Sequence, residues 1–315
     1  VVLLLEDLQW ADEPSLFVFN HVARNIKDLR VLMVGTLRTG ENEAVEKGME
    51  DMSDQDLLSI IDLSSLKPEG VASMVNAMCP DNDFPQSFMD ELAQRCNGTP
   101  LFVIELIRHM KTDRSITIED GGHVLKREDY TIPDSVEEVI RGRLERLSTQ
   151  AMALAEYGAC IGRDFTTEAI MSNSVIRGHE EALGELESSG VLNPLDGGSE
   201  FVHAMYQAVI YSDISPRWKA NYHRNIGEYF ETAFQHNPNE VLYELAGHFL
   251  RSNEHQKAFD YCLQAGEKAE GSLASAQAIE FYGSALGLKG KLRQGIDPTT
   301  ESDLNDRRGD LHNLN

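Results

Sequence analysis

The chain has 315 residues, 41% of them hydrophobic, and sets 52 acidic residues against 28 basic ones, a formal net charge of −24. That length accommodates two or three domains with a sizeable core. A charge of this sign repels nucleic acid and anionic membranes, and no basic run exceeds Arg307–Arg308. No apolar run reaches the ~20 residues of a membrane span, and the apolar N-terminus lacks the basic flank of a signal peptide. Cys79, Cys96, Cys160 and Cys262 are scattered, form no C-x-x-C pair, and read as reduced packing thiols of a cytosolic protein.

The first segment, VVLLLEDLQWAD, runs five apolar residues into Glu6–Asp7. This pattern predicts a strand buried on both faces that delivers carboxylates to the ligand edge of a parallel sheet. Nucleotide triphosphatases use that arrangement as the Walker B element, one carboxylate reaching Mg²⁺ and its neighbour acting on the attacking water. The bland alternative is a strand followed by a solvated turn. The phosphate-loop pattern G-x-x-x-x-G-K-[ST] occurs nowhere. Gly266–Gly271 has the glycine spacing but continues Ser272–Leu273, without the lysine. The sequence therefore reads as the interior of a longer protein.

Ser15 is placed to cap a helix running to about Lys27, with Leu16, Phe19, Val22, Ala23 and Ile26 on one face. Residues 31–36, VLMVGT, read as a second buried strand, completing a β-α-β unit. Arg38 then falls on the same sheet edge as Glu6 and Asp7. Residues 39–56 are polar and acidic and read as a loop; Leu57–Leu63 reads as a third short strand.

From Lys67 to about Met110 the periodicity is helical, with Pro68 and Pro85–Gln86 opening helices. Cys96-Asn97-Gly98-Thr99-Pro100 ends one helix and begins the next. Residues 112–132 are polar, Gly121–Gly122 marks a turn, and a domain joint is expected there. Ser135-x-x-Glu138 is a capping box. Short helices follow, ending with about 178–189, and then two strands around Asp196-Gly197-Gly198. Helices followed by a β-hairpin describe a winged helix. Its candidate recognition helix carries Glu180, Glu181, Glu185 and Glu187 and no lysine or arginine, which argues against DNA binding. Beyond Ala204 the chain reads as helix. Lys257–Tyr261 and Gln277–Phe281 are related segments twenty residues apart, as in stacked tetratricopeptide-like hairpins. A polar stretch begins at Gly290, and the array runs to Asn315.

Taken in order, these pieces resemble a STAND-class signal-transduction ATPase of the AAA+ group. The nearest pattern is that of the large ATPases found beside adenylate or guanylate cyclases or within sensor kinases. LLLEDLQWADEPSL resembles the extended Walker B and VLMVGTLRTGE the sensor-1 strand. CNGTPLFVIELI resembles the G-x-P element, IPDSVEEVIRGRLERLS the start of the winged helix, and FVHAMYQAVIY the histidine segment after the wing. The resemblance implies a mainly α protein with a small truncated parallel α/β sheet. It divides the chain into half of a nucleotide core (1–65), a helical lid (66–125), a winged helix (126–204) and tetratricopeptide-like repeats (205–315).

It also implies roles. Glu6 is the Mg²⁺-linked carboxylate, although many relatives have Asp there. Asp7 acts on water, and Arg38 faces the γ-phosphate. Pro100 packs near the adenine, Gly98 belongs to the same nucleotide-binding element, and His203 holds the diphosphate in the inactive state. His203 could equally be a packed histidine beside Phe201 and Tyr206, and the other nine histidines show no metal spacing. ATP or ADP with Mg²⁺ would be the cofactor of the full-length protein, a cytoplasmic switch with a protein partner on its repeats and the capacity to self-associate. Nucleic acid and membrane are not expected partners. A cyclase or kinase domain outside these residues is compatible with the pattern, and the 315 residues alone are expected to be inactive. In this family's sheet the phosphate-loop strand is expected between the Walker B and sensor-1 strands. Without it, strands 1–6 and 31–36 would either pair directly or leave a gap, and their edges would aggregate. The alternative function is an interaction scaffold with a degenerate nucleotide core.

Overall fold

The computed structural model describes residues 1–11, 13–26, 29–55, 57–126, 132–173, 176 and 178–314. Lys27, at the expected end of the first helix, lies outside them. The chain is mainly helical with small sheets. It forms two compact units, Val1–Leu63 with Leu242–Leu250 and Glu254–Asn315, and Ser64–Val241 with Arg251–Asn253.

In the first unit, β1 (Val2–Leu5) and β2 (Leu32–Gly35) pair in parallel, Val2 opposite Leu32 and Leu5 opposite Gly35, with α1 (Glu13–Asn25) between them in sequence. Parallel neighbours need such a crossover. The strands pair directly, with no strand between them. The expectation of burial on both faces fails: Val2, Leu4 and Leu32 are 67%, 60% and 58% exposed. Two strands cannot cover their own faces, and the apolar core gathers beyond the strand ends instead. There Leu8, Val45, Met49 and Met52 are buried, with Leu16, Phe19 and Ala23 packed against them. Ser15 lies inside α1 rather than at its cap. The expected loop at 39–56 holds a helix, α2 (Glu43–Asp54), whose Val45, Met49 and Met52 recur at helical spacing. Residues 57–63 form no strand; Ile61 and Leu63 are exposed.

The second unit opens with α3 (Pro68–Met78), α4 (Gln86–Cys96) and α5 (Pro100–Thr112). They enclose Val75, Phe88, Leu92, Leu106 and Met110. Where the sequence suggested only a turn, a hairpin forms: β3 (Ile116–Glu119) and β4 (Gly122–Leu125). Asp120 and Gly121 both adopt positive φ, the backbone twist a two-residue hairpin favours. Next comes α6 (Val136–Leu144), where Ser135 Oγ accepts from Glu138 N at 3.2 Å and the Glu138 carboxylate accepts from Asp134 N at 2.9 Å. The capping box therefore closes one residue early.

Then follow α7 (Thr149–Ile161), β5 (Asp164–Thr166), α8 (Thr167–Met171), α9 (His179–Ser188), β6 (Leu192–Leu195) and β7 (Gly198–Phe201). The strands form an antiparallel sheet in the order β5-β7-β6, with the hairpin at Asp196-Gly197. They are followed by α10 (Ala204–Asp213) and α11 (Pro216–Ala233). One core of Leu154, Tyr157, Phe165, Phe201, Tyr206 and Ile210 spans these elements.

The first unit's remaining helices are α12 (Leu242–Leu250), α13 (His255–Gly271), α14 (Ser275–Gly287) and α15 (Pro298–Leu314). Each packs on its sequence neighbour. Small buried residues on α13 and α14, among them Ala258, Ala265 and Ala278, permit close approach. Aromatic pairs fix the register: Tyr243 stacks on Phe281 and Phe249 on Tyr261, with centroids 5.4 and 5.3 Å apart.

Candidate functional site

The ends of β1 and β2 are held together by hydrogen bonds between distant parts of the chain. Asp7 adopts a left-handed conformation (φ 56°, ψ 45°), which turns the chain back over β2. Its N–H donates to Thr36 Oγ1 at 3.0 Å, and Leu8 N donates to Thr36 O at 2.8 Å. Gln9, 4% exposed, is the crosspiece. Its Nε2 donates to Asp7 Oδ1 and its Oε1 accepts from Arg38 N, both at 3.1 Å. Its backbone oxygen accepts from Asn42 Nδ2 at 3.0 Å, while Asn42 Oδ1 caps α2 through Val45 N. The Gln9 amide donates and accepts from one planar group, which a carboxylate or an ammonium in its place could not do.

The edge therefore brings Asp7 and the Arg38 backbone to one residue, Gln9. The Arg38 guanidinium is 62% exposed and lies 3.7 Å from Glu41. Glu6 is exposed at the strand end. Among the described residues, Asp7 Oδ2 has no hydrogen-bond partner, and no three His, Cys, Asp or Glu residues are arranged to hold a metal. Mg²⁺ beside a nucleotide is commonly held by one or two carboxylates together with phosphate oxygens. Glu6 at the strand end and Asp7 beside it, held by Gln9, supply the two carboxylates of that donor set.

Gly98 and Pro100 lie in the second unit. Asn97 and Gly98 both have positive φ, and Thr99 N-caps α5, which starts at Pro100. Leu66 N donates to Gly98 O at 2.8 Å, and a Cβ on Gly98 would stand 2.2 Å from Leu66 O. A turn and a close backbone approach thus each require this glycine. Pro100 is exposed. His203 is exposed rather than packed, and its Nδ1 caps α10 by accepting from Met205 N at 3.1 Å.

Sequence reasoning passed over a second cluster. Glu105 on α5 is 1% exposed. Its Oε2 lies 2.8 Å from Arg143 Nη2 and accepts from the Tyr206 hydroxyl at 2.7 Å, while Oε1 lies 3.4 Å from Arg108. Arg143 also donates to Tyr206 at 2.5 Å. Burial, and then the Glu105 carboxylate, push the Tyr206 hydroxyl pKa up, so the phenol keeps its proton and donates. The three residues belong to ELI, GRL and AMY, one from each of the three later motifs noted in the sequence. Their wide separation along the chain hid the pairing. The four cysteines are buried and free; burial pushes Cys96, Cys160 and Cys262 up to about 12, which makes them inert.

Residues 82–123, which include α4, α5 and β3, match a family described as Domain of unknown function (DUF8739). No curated protein matches the chain. Among solved structures, a Signal Transduction ATPase with Numerous Domains (STAND) protein with a tetratricopeptide repeat sensor, from Pyrococcus horikoshii, is similar at 14% identity and a TM-score of 0.49. The match covers 100% of this chain and 47% of that one, so the chain spans about half the length of this relative.

Proposed function

We propose that the chain is part of an ATP-dependent signal-transduction switch of the STAND type. The observation that carries this reading is the Gln9 crosspiece, which orients the Asp7 carboxylate and pins the Arg38 backbone on one edge of a parallel strand pair. In this reading Asp7 holds the attacking water and Glu6 meets Mg²⁺ directly or through water. Arg38 leaves Glu41 for the γ-phosphate; the pair is exposed and weak enough to exchange. Mg²⁺, when bound with nucleotide, supplies charge neutralisation on the phosphates. The nucleotide roles of Gly98, Pro100 and His203 rest on the family resemblance. Hydrolysis resets the switch, and turnover belongs to a longer cytoplasmic protein, because these residues contain no phosphate-loop sequence. Nucleotide state would govern domain arrangement, self-association and engagement of a protein partner.

The test is ATP turnover by the full-length protein with Arg38→Ala. Turnover falls at least about 100-fold while ADP binding persists, as for loss of a charge-stabilising arginine; unchanged turnover removes Arg38 from the site. A second reading, an interaction scaffold, draws on the packed α12–α15 stack. It predicts partner binding that is indifferent to nucleotide.

A further inference from the structure

A cleft of about 660 Å³ lies in the second unit, between the end of α6, the first half of α7 and the start of α11. Leu147, Met152 and Ala153 give it an apolar wall, and Trp218 and Tyr222 an aromatic one. Trp218 is 49% exposed, and its ring stacks on Tyr222 with centroids 5.7 Å apart and planes at 28°. Tyr222 is in turn held edge-on by Tyr157, also at 5.7 Å. Trp218, Tyr222 and Tyr157 therefore form one packed aromatic cluster along the cleft.

Glu156 stands on the same wall, half-buried. It accepts from the Tyr222 hydroxyl at 3.0 Å. Among the described residues no cation pairs with it, and among those that line the cleft there is Glu145 but no lysine, arginine or histidine. Burial raises the Glu156 pKa, partly offset by the Tyr222 hydrogen bond. A partly desolvated carboxylate beside an open indole face attracts positive charge through Coulomb and cation–π forces together. The apolar wall accepts the stem behind that charge.

We infer that this cleft binds an organic cation, with a guanidinium or ammonium head on Glu156 and an apolar body along Trp218. Its volume falls within the roughly 300–1,000 Å³ of small-molecule sites. The same chemistry is offered by a free small molecule or by an arginine side chain in a polypeptide. The inference is independent of the nucleotide reading.

The experiment uses the full chain carrying Trp10→Phe, so that Trp218 is the sole indole. It is titrated with N-acetyl-arginine amide, with the neutral isostere N-acetyl-citrulline amide, and with an end-blocked Gly-Arg-Gly peptide. Saturable quenching is expected, with the arginine amide at least about tenfold tighter than the citrulline amide, the scale of one charge-assisted hydrogen bond. Glu156→Gln, which keeps an acceptor for Tyr222, erases that preference while citrulline amide binding survives. Trp218→Leu, read by calorimetry, weakens the arginine amide by a similar factor. A peptide tighter than the amide identifies a polypeptide as the source; a peptide no tighter identifies a free small molecule. Equal binding of the two amides, no saturation by about 20 mM, or a preference that persists in folded Glu156→Gln overturns the inference.

Discussion

The Arg143 guanidinium lies 2.8 Å from the Glu105 carboxylate, and this buried pair joins α5 to α6. Tyr206 on α10 closes the triangle by donating to the same carboxylate oxygen. Three helices therefore meet at one carboxylate, with Arg108 facing its other oxygen, where geometry and full hydrogen bonding decide whether such a buried charge is tolerated.

Removing Glu105 strands Arg143, whereas removing Arg143 leaves Glu105 with Arg108 at 3.4 Å and the Tyr206 hydroxyl. Glu105→Leu alone is expected to cost about 3–5 kcal/mol and Arg143→Met less, because Arg108 still faces the carboxylate, whereas the double variant costs less than their sum. Urea unfolding of the four proteins measures this. Additive single effects would show that the two charges do not depend on each other.

Gly98→Ala forces a Cβ to 2.2 Å from the Leu66 carbonyl at a positive-φ position, so a loss of about 2 kcal/mol or more is expected. Gly184→Ala, inside α9 with open space around it, is expected to gain about 0.5–1 kcal/mol. Thermal unfolding compares the two, and equal effects would contradict the close approach at Gly98.

Acid stability has a predictable slope. The Arg141 hydrogen bond holds Asp213 below the usual carboxylate range, and the Ser148 hydroxyl and N–H do the same for Glu185. Each contributes stability present above its unfolded pKa and lost as pH falls through the lowered folded value. Asp213→Asn and Glu185→Gln should therefore flatten the acid limb of the urea midpoint. Glu156 has the opposite sign: burial raises its pKa, so its contribution is present below the unfolded value and lost as pH rises through the folded one. A steeper acid limb in the first two variants would contradict these assignments.

The exposed faces of β1 and β2 predict self-association and binding of apolar dyes. Leu4→Thr with Leu32→Thr should reduce both, measured by sedimentation and dye fluorescence, while stability changes by no more than about 0.5 kcal/mol. A monodisperse parent chain with no dye binding would contradict the expectation.

What could be read from the sequence was local punctuation. Pro68 and Pro100 begin helices, Asn97-Gly98 breaks one, and Asp196-Gly197 makes a hairpin because each fixes its own backbone angles. The run Val1–Leu5 was strongly apolar, but burial depends on what covers a strand, and its pattern carries no record of that. Acidic composition at 39–56 masked the spacing of Val45, Met49 and Met52. Asp7 and Arg38 could be named as edge residues, whereas Gln9 carried no signal beyond sitting two positions past Asp7. Glu105 and Tyr206 are 101 residues apart, beyond the reach of any local pattern.

The switch reading rests on Asp7 as the carboxylate that handles the attacking water. Mg²⁺-ATP turnover by the full-length protein carrying Asp7→Asn is the decisive measurement. The expected result is a fall of about 10²–10⁴-fold, the scale of a lost general base, with ATP binding retained and the Gln9 hydrogen bond preserved by the amide oxygen. Turnover at the parent rate would contradict the assignment and leave the helical scaffold as the better description.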